Sequence, residues 1–194
     1  MSIDDLESSE PYSEELDIDL RSGDDGELFE WFLASLPFDG RISEGTAKRT
    51  YRAFENHDLL TPGAILDAGF DYPVNPMMRE GGYVRHDNRR SEQVLRDCET
   101  LIEEYDGSLN ALHEAAADAE ALEERIDAFH GVGPVTTNIF LRELRPIRAK
   151  TDPEPLDVVR EAAARANVDP DRYDRKSEAF VRVEAGLIRR RHEH

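Results

Sequence analysis

Apolar side chains recur every three to four residues along most of the chain and almost never alternate, which is the period of helices rather than strands. Leu28, Phe29, Trp31, Phe32, Leu33 and Leu36 form a strongly apolar helix that stops at Pro37, and Phe38-Asp39-Gly40 reads as a turn. Ser43 is placed to cap a helix carrying Ala47, Tyr51 and Phe54 at i, i+4 and i+7. Thr61-Pro62 opens the next and Gly69 closes it. The clearest stripe, Val94, Leu95, Cys98, Leu101, Ile102 and Tyr105, starts from a cap at Asp87 or Asn88, ends at Gly107 and reads as core. Leu122, Ile126 and Phe129 line one later helix, and Ile139, Phe140 and Leu144 another, with His130-Gly131-Val132-Gly133-Pro134 between them. A proline- and acid-rich loop, Thr151 to Pro155, leads to an alanine-rich helix with Val158, Val159, Ala162 and Ala166. After Asp169-Pro170 a last helix carries Phe180, Val183, Leu187 and Ile188. The pattern predicts an all-α fold of roughly eight to ten helices.

Residues 1–26 lack such a period and are dominated by acid, so they read as a disordered leader before a helical domain at 27–194. The first 30 residues hold 12 acidic side chains and one arginine, and so carry most of the net charge of −19. Cations are nearly all arginine; lysine occurs only at 48, 150 and 176. An acidic chain with a globular apolar pattern suits a halophilic cytoplasm, where surface carboxylates keep a protein dispersed. The plain alternative is an ordinary acidic protein.

No run approaches the ~18 apolar residues of a membrane span, and no basic-then-apolar signal opens the chain, so it reads as soluble and intracellular. Cys98 is the single cysteine. That excludes an intramolecular disulfide and any four-cysteine cluster, and its place on the apolar stripe reads as packing rather than as a nucleophile.

The Gly131-Val132-Gly133 turn entering Pro134 carries the candidate chemistry. Glycine permits a reversal over few residues, and proline suits the first helical position. The amides of Val135, Thr136 and Thr137 then stand at the positive end of a helix, where they hold a phosphate without lysine. The alternative is a plain helix-to-helix turn.

The string Phe129 to Leu144, FHGVGPVTTNIFLREL, resembles the hairpin of the endonuclease III-like helix-hairpin-helix DNA glycosylase superfamily. Two further segments are similar in the same order. Phe32 to Lys48 reaches a Thr46-Ala47-Lys48 step, and Gly82-Tyr83 precedes the Val94–Gly107 helix. The resemblance implies two packed helical lobes with the hairpin at 129–144 and duplex DNA as partner. It further implies a monomeric, nucleoid-associated protein of base excision repair, with no metal or cofactor and, lacking the four cysteines, no iron–sulfur cluster.

The same resemblance implies site residues. Phosphate contacts fall to Gly131, Val132, Gly133, Val135 and Thr136. The catalytic aspartate, which assists loss of a base flipped from the duplex, matches Asp152, with Asp157 as second choice. The lysine of bifunctional members is replaced by Val135, so no β-lyase step is expected there; Lys150 is a remote substitute. Pro153-Glu154-Pro155 departs from the family pattern, which leaves Asp152 as either the catalytic carboxylate or a helix cap. Leu36 stands where the family inserts a wedge into DNA, or is simply core. Arg85, Arg89 and Arg90 either meet phosphates or are solvated. Two functions follow: a monofunctional DNA glycosylase, or a hairpin DNA-binding module without the chemistry.

Overall fold

Local capping sets the helix starts. Ser43 accepts from the Thr46 amide and Thr61 from the Ala64 amide, as the sequence predicts, and Ser108, Asp118 and Ser177 act in the same way. The computed structural model describes residues 3–38, 43–70, 79–82 and 87–190, and no strand occurs among them. The helices are α1 (Ile3–Glu7), α2 (Tyr12–Glu15), α3 (Asp25–Ser35), α4 (Glu44–Asn56), α5 (Pro62–Ala68) and α6 (Asp87–Tyr105). They continue with α7 (Leu109–Ala115), α8 (Ala119–Asp127), α9 (Pro134–Arg142), α10 (Asp157–Ala166) and α11 (Glu178–Arg189). The fold is all-α. None of the described helices is long and apolar enough to cross a membrane.

Two hydrophobic clusters hold the helices together. The larger gathers Trp31, Phe32, Phe54, Leu101 and Phe140 from α3, α4, α6 and α9, and the Trp31 indole donates to the Phe140 carbonyl at 2.9 Å. The smaller joins Leu6 of α1 to Val159 and Ala163 of α10 and to Val183 and Leu187 of α11. Helix α6 ends as its glycine predicts: Gly107, at φ +78°, donates to the Leu101 carbonyl six residues back at 2.9 Å. Cys98 is buried and free. Ile102, expected on the buried stripe, lies 37% exposed instead, because it follows Leu101 around the helix to the outer face.

The leader departs from its expectation of disorder. Residues 3–26 fold onto the body, with Leu6, Tyr12, Leu16, Ile18 and Leu20 all buried. Glu143, just past α9 and itself buried, accepts from the Tyr12 and Ser13 amides, each at 3.0 Å. It thereby supplies the first turn of α2 with the acceptor that Pro11, with no side-chain cap, cannot. The Tyr12 ring lies beneath Arg189, Lys48 and Arg142, and its hydroxyl donates to Glu44 at 3.0 Å. Helix α1 packs closely on α11 at Gly186, where a Cβ would stand 2.5 Å from Ser9 Oγ and 2.9 Å from Leu6 Cδ2. The partners of the leader are remote in sequence, which is why no local period announces it.

Candidate nucleic-acid interface

The reversal between α8 and α9 follows from two residues. Gly131 has φ +71°, a region that side-chain-bearing residues avoid. Val132 turns inward to the core, and its amide donates to the Phe129 carbonyl at 3.1 Å. Val132 therefore has no amide to offer a phosphate, a correction to the expected contact set. Gly133 is the N-cap of α9 and Pro134 its first residue; the cap has no side-chain hydrogen bond, and the intrahelical ladder begins with Thr137 N–H to Gly133 O at 2.9 Å. The amides of Val135 and Thr136 precede that ladder at the positive end of the helix. The Val135 side chain is 43% exposed, whereas that of Thr136 is buried, so Thr136 can offer its backbone alone.

The Thr-Thr-Asn step that carries part of the family resemblance has structural work in this chain. Thr137 and Asn138 are buried, and Asn138 donates from Nδ2 to the Glu154 carbonyl at 2.7 Å, tying α9 to the proline-rich loop.

Helix α6 braces the turn from behind. The Gln93 side chain fills the space against Gly131, where an added Cβ would stand 3.1 Å from Gln93 Cδ, and Arg90 Nη1 donates to Gln93 Oε1 at 2.6 Å. Arg90 and the hairpin, unconnected candidates in the sequence, are thus brought together through Gln93. Arg89 is exposed one residue before Arg90. Arg85 lies outside the described residues.

Asp97, one turn beyond Gln93, is 1% exposed and beside the His130 amide, yet neither of its oxygens closes a hydrogen bond. Burial pushes its carboxyl up to about 8, against the pull of the His130 amide, Gln93 and Arg90. Neither Gln93 nor Asp97 emerges from the sequence. Both sit one position ahead of the apolar pair Val94 and Cys98, at the stripe's edge, where a polar residue is equally at home in solvent. Since folding raises the carboxyl from an ordinary 3.8, the protonated form is linked to the fold. That stability is fully present below the unfolded value and is lost as pH rises through about 8. Asp97→Asn is therefore expected to stabilise the protein at pH 9 by at least ~1 kcal/mol, with the gain fading toward pH 4. Urea unfolding at several pH values checks this; a gain independent of pH would contradict it.

The opposite flank of the hairpin is acidic. A groove of about 470 Å³ runs between α8 and the 153–157 loop, walled by Glu120, Glu123, Glu124 and Asp127 on one side and Pro134 and Asn138 at its end. Burial, with Asp152 and Glu154 nearby, raises the Glu123 carboxyl.

Asp152 does not line that groove. Arg175 grips it in a fork, Nε to Oδ1 at 3.0 Å and Nη2 to Oδ2 at 2.7 Å, and Arg145 Nε lies 3.8 Å from Oδ1. Nor does Asp152 cap α10, whose N-cap is Leu156; of the two roles open to it in the sequence, the cap is a correction, and both carboxylate oxygens accept from Arg175. Asp157 is the exposed first residue of α10. Lys150 is neither solvated nor poised as a nucleophile: its ammonium donates to the carbonyls of His113, Glu114 and Ala116 at 3.0, 3.4 and 2.7 Å, closing the end of α7. Leu36, 3% exposed in the larger cluster, is core rather than a wedge. Among the described residues no group of three His, Cys, Asp or Glu could hold a metal ion.

No family model, curated protein or solved structure matches the chain.

Proposed function

We propose that this chain is a helix-hairpin-helix DNA-binding protein that holds the duplex by its backbone. One observation carries the reading: the uncapped start of α9 at Gly133 stands beside a turn that Gln93 joins to Arg90. Two first-turn amides and an arginine side give a phosphodiester both dipole and charge. The acidic groove fixes the approach, since DNA is repelled from the α8 flank and admitted from the α6 flank. Binding through amides with few cations also gives a shallow salt dependence, because few counterions are released.

This reading is preferred over the glycosylase that the family resemblance suggests. The Asp152 carboxylate is committed to Arg175, and Val135 stands where the family's lysine nucleophile would be. A base-releasing reaction needs an ionised carboxylate facing the sugar rather than one forked to arginine.

Gly133→Glu is the decisive variant. Gly133 has extended backbone, and a Cβ added there would meet nothing within 4 Å, so the side chain fits without unfolding the turn. It puts a carboxylate where a phosphate would sit. Duplex affinity should fall at least about tenfold, roughly the ~1.4 kcal/mol of one lost charge-assisted contact, while the melting temperature holds. Fluorescence anisotropy with a labelled duplex reads the result, and unchanged affinity would reject the hairpin as the site. Asp152→Asn in the same assay should bind as wild type and leave any base release unaltered. Base release that disappears in Asp152→Asn would restore the glycosylase reading.

A further inference from the structure

We propose that Gln93 and Asp97 are positioning residues for the hairpin turn, and that DNA binding there draws a proton onto the Asp97 carboxyl. The inference rests on the hairpin being the backbone-binding site.

The contacts form a chain from surface to interior. Arg90 Nη1 donates to Gln93 Oε1 at 2.6 Å, the Gln93 carboxamide packs against Gly131, and Asp97 faces the His130 amide at the same turn. Gln93 Nε2 and both Asp97 oxygens are buried with no hydrogen bond closed, so this interior has spare donor and acceptor capacity. The ionised carboxylate is favoured by the His130 amide, by Gln93 and by a single formal charge, that of Arg90. Other elements packed on α6 bring Asp67 from α5 and His113 and Glu114 from α7, and the hairpin brings Asp127 and the His130 imidazole. Of all these charged groups, Arg90 is the one that acts on Asp97.

A phosphate at the hairpin takes Arg90 as its counterion. The positive potential that supported the ionised carboxylate then falls, and a negative charge arrives beside the turn. Both changes favour protonated Asp97. By reciprocity, a ligand that raises proton affinity is itself bound more tightly by the protonated protein. The proton comes from solvent and resides on a carboxyl oxygen; no bond to the nucleic acid changes.

The experiment is calorimetric titration of a short duplex into the protein at pH 8, in two buffers of different ionisation enthalpy. Wild type should take up a fraction of a proton on binding, and its affinity should fall about three- to tenfold from pH 7 to pH 9. Asp97→Asn, isosteric with the protonated acid, should bind without uptake and with a flat profile. Arg90→Gln, on the partly exposed end of the chain of contacts, should bind more weakly and also lose the uptake. A purely structural Asp97 would leave the proton count unchanged. Uptake that persists in Asp97→Asn, or a flat wild-type profile, overturns the linkage alone; absence of duplex binding at every pH overturns the proposed function and the linkage with it.

Discussion

Arg145→Met is expected to destabilise the protein by about 3–5 kcal/mol, the loss typical of breaking a buried ion pair by removing one partner. Arg145 and Glu184 are each fully buried and hydrogen-bonded to one another, linking the segment after α9 to α11. The arginine also donates from Nη2 to the Pro153 carbonyl at 2.6 Å and stacks on Phe180, its guanidinium 5.1 Å from the ring centre. Methionine can occupy the space against Phe180, but it leaves Glu184 as an uncompensated buried charge and the Pro153 carbonyl without its donor. Removing both charges separates these effects. Arg145→Met with Glu184→Leu should recover most of the loss, since an ion pair buried this deeply returns little beyond its own desolvation. Urea unfolding of wild type, both single variants and the double variant gives the coupling. An Arg145→Met protein within ~1 kcal/mol of wild type would mean that Glu184 finds another partner or solvent.

The same pair accounts for the fate of Asp152. Arg145 anchors Pro153 from within, and Arg175 forks Asp152 from outside while also pairing with Glu154. The loop that departs from the family pattern is therefore held by arginines on both sides. In the sequence, Asp152 is a carboxylate at a suggestive distance from a glycine turn. Its partner Arg175 lies 23 residues further on, in a segment with no apolar period to place it.

What the sequence makes legible is local. Caps at Ser43 and Thr61, the stop at Gly107, the inward stripe around Cys98 and the reversal at Gly131 each depend on residues within one or two helical turns, and each forms as expected except that Ile102 leaves the stripe for the outer face. The candidate interface is half legible for the same reason. Gly131, Gly133 and Pro134 announce a turn and a helix start, but the braces behind them, Gln93 and Asp97, come from a helix some 35 residues earlier, and only packing makes them neighbours. Composition misleads where apolar residues are sparse. Leu6, Tyr12, Leu16, Ile18 and Leu20 are scattered among carboxylates, and two of them are seated by residues more than 120 positions away, Tyr12 by Glu143 and Leu6 by Val183 and Leu187.

The burial of that segment sets the second large expectation: deleting residues 1–20 should abolish cooperative unfolding rather than trim a passive tail. Burial of the segment's five apolar side chains is opposed by the conformational cost of ordering its backbone. The damage lies in what it uncovers. Glu143 would stay in place without the Tyr12 and Ser13 amides, and burial already holds its carboxyl above the ordinary range. Arg142, Lys48 and Arg189 would lose the Tyr12 ring between them, and the tight Gly186 face of α11 would open to water with Val183 and Leu187. Together these losses approach the ~5–15 kcal/mol that stabilises a typical domain. Calorimetry of the truncated chain should show no sharp transition, and an apolar dye should bind it; an unfolding midpoint equal to that of the full chain would return the segment to the role of a leader. Glu143→Gln separates the anchor from the packing. With one carboxamide oxygen in place of two carboxylate oxygens, it should lose about 1–3 kcal/mol and still unfold cooperatively, because the apolar side chains remain seated.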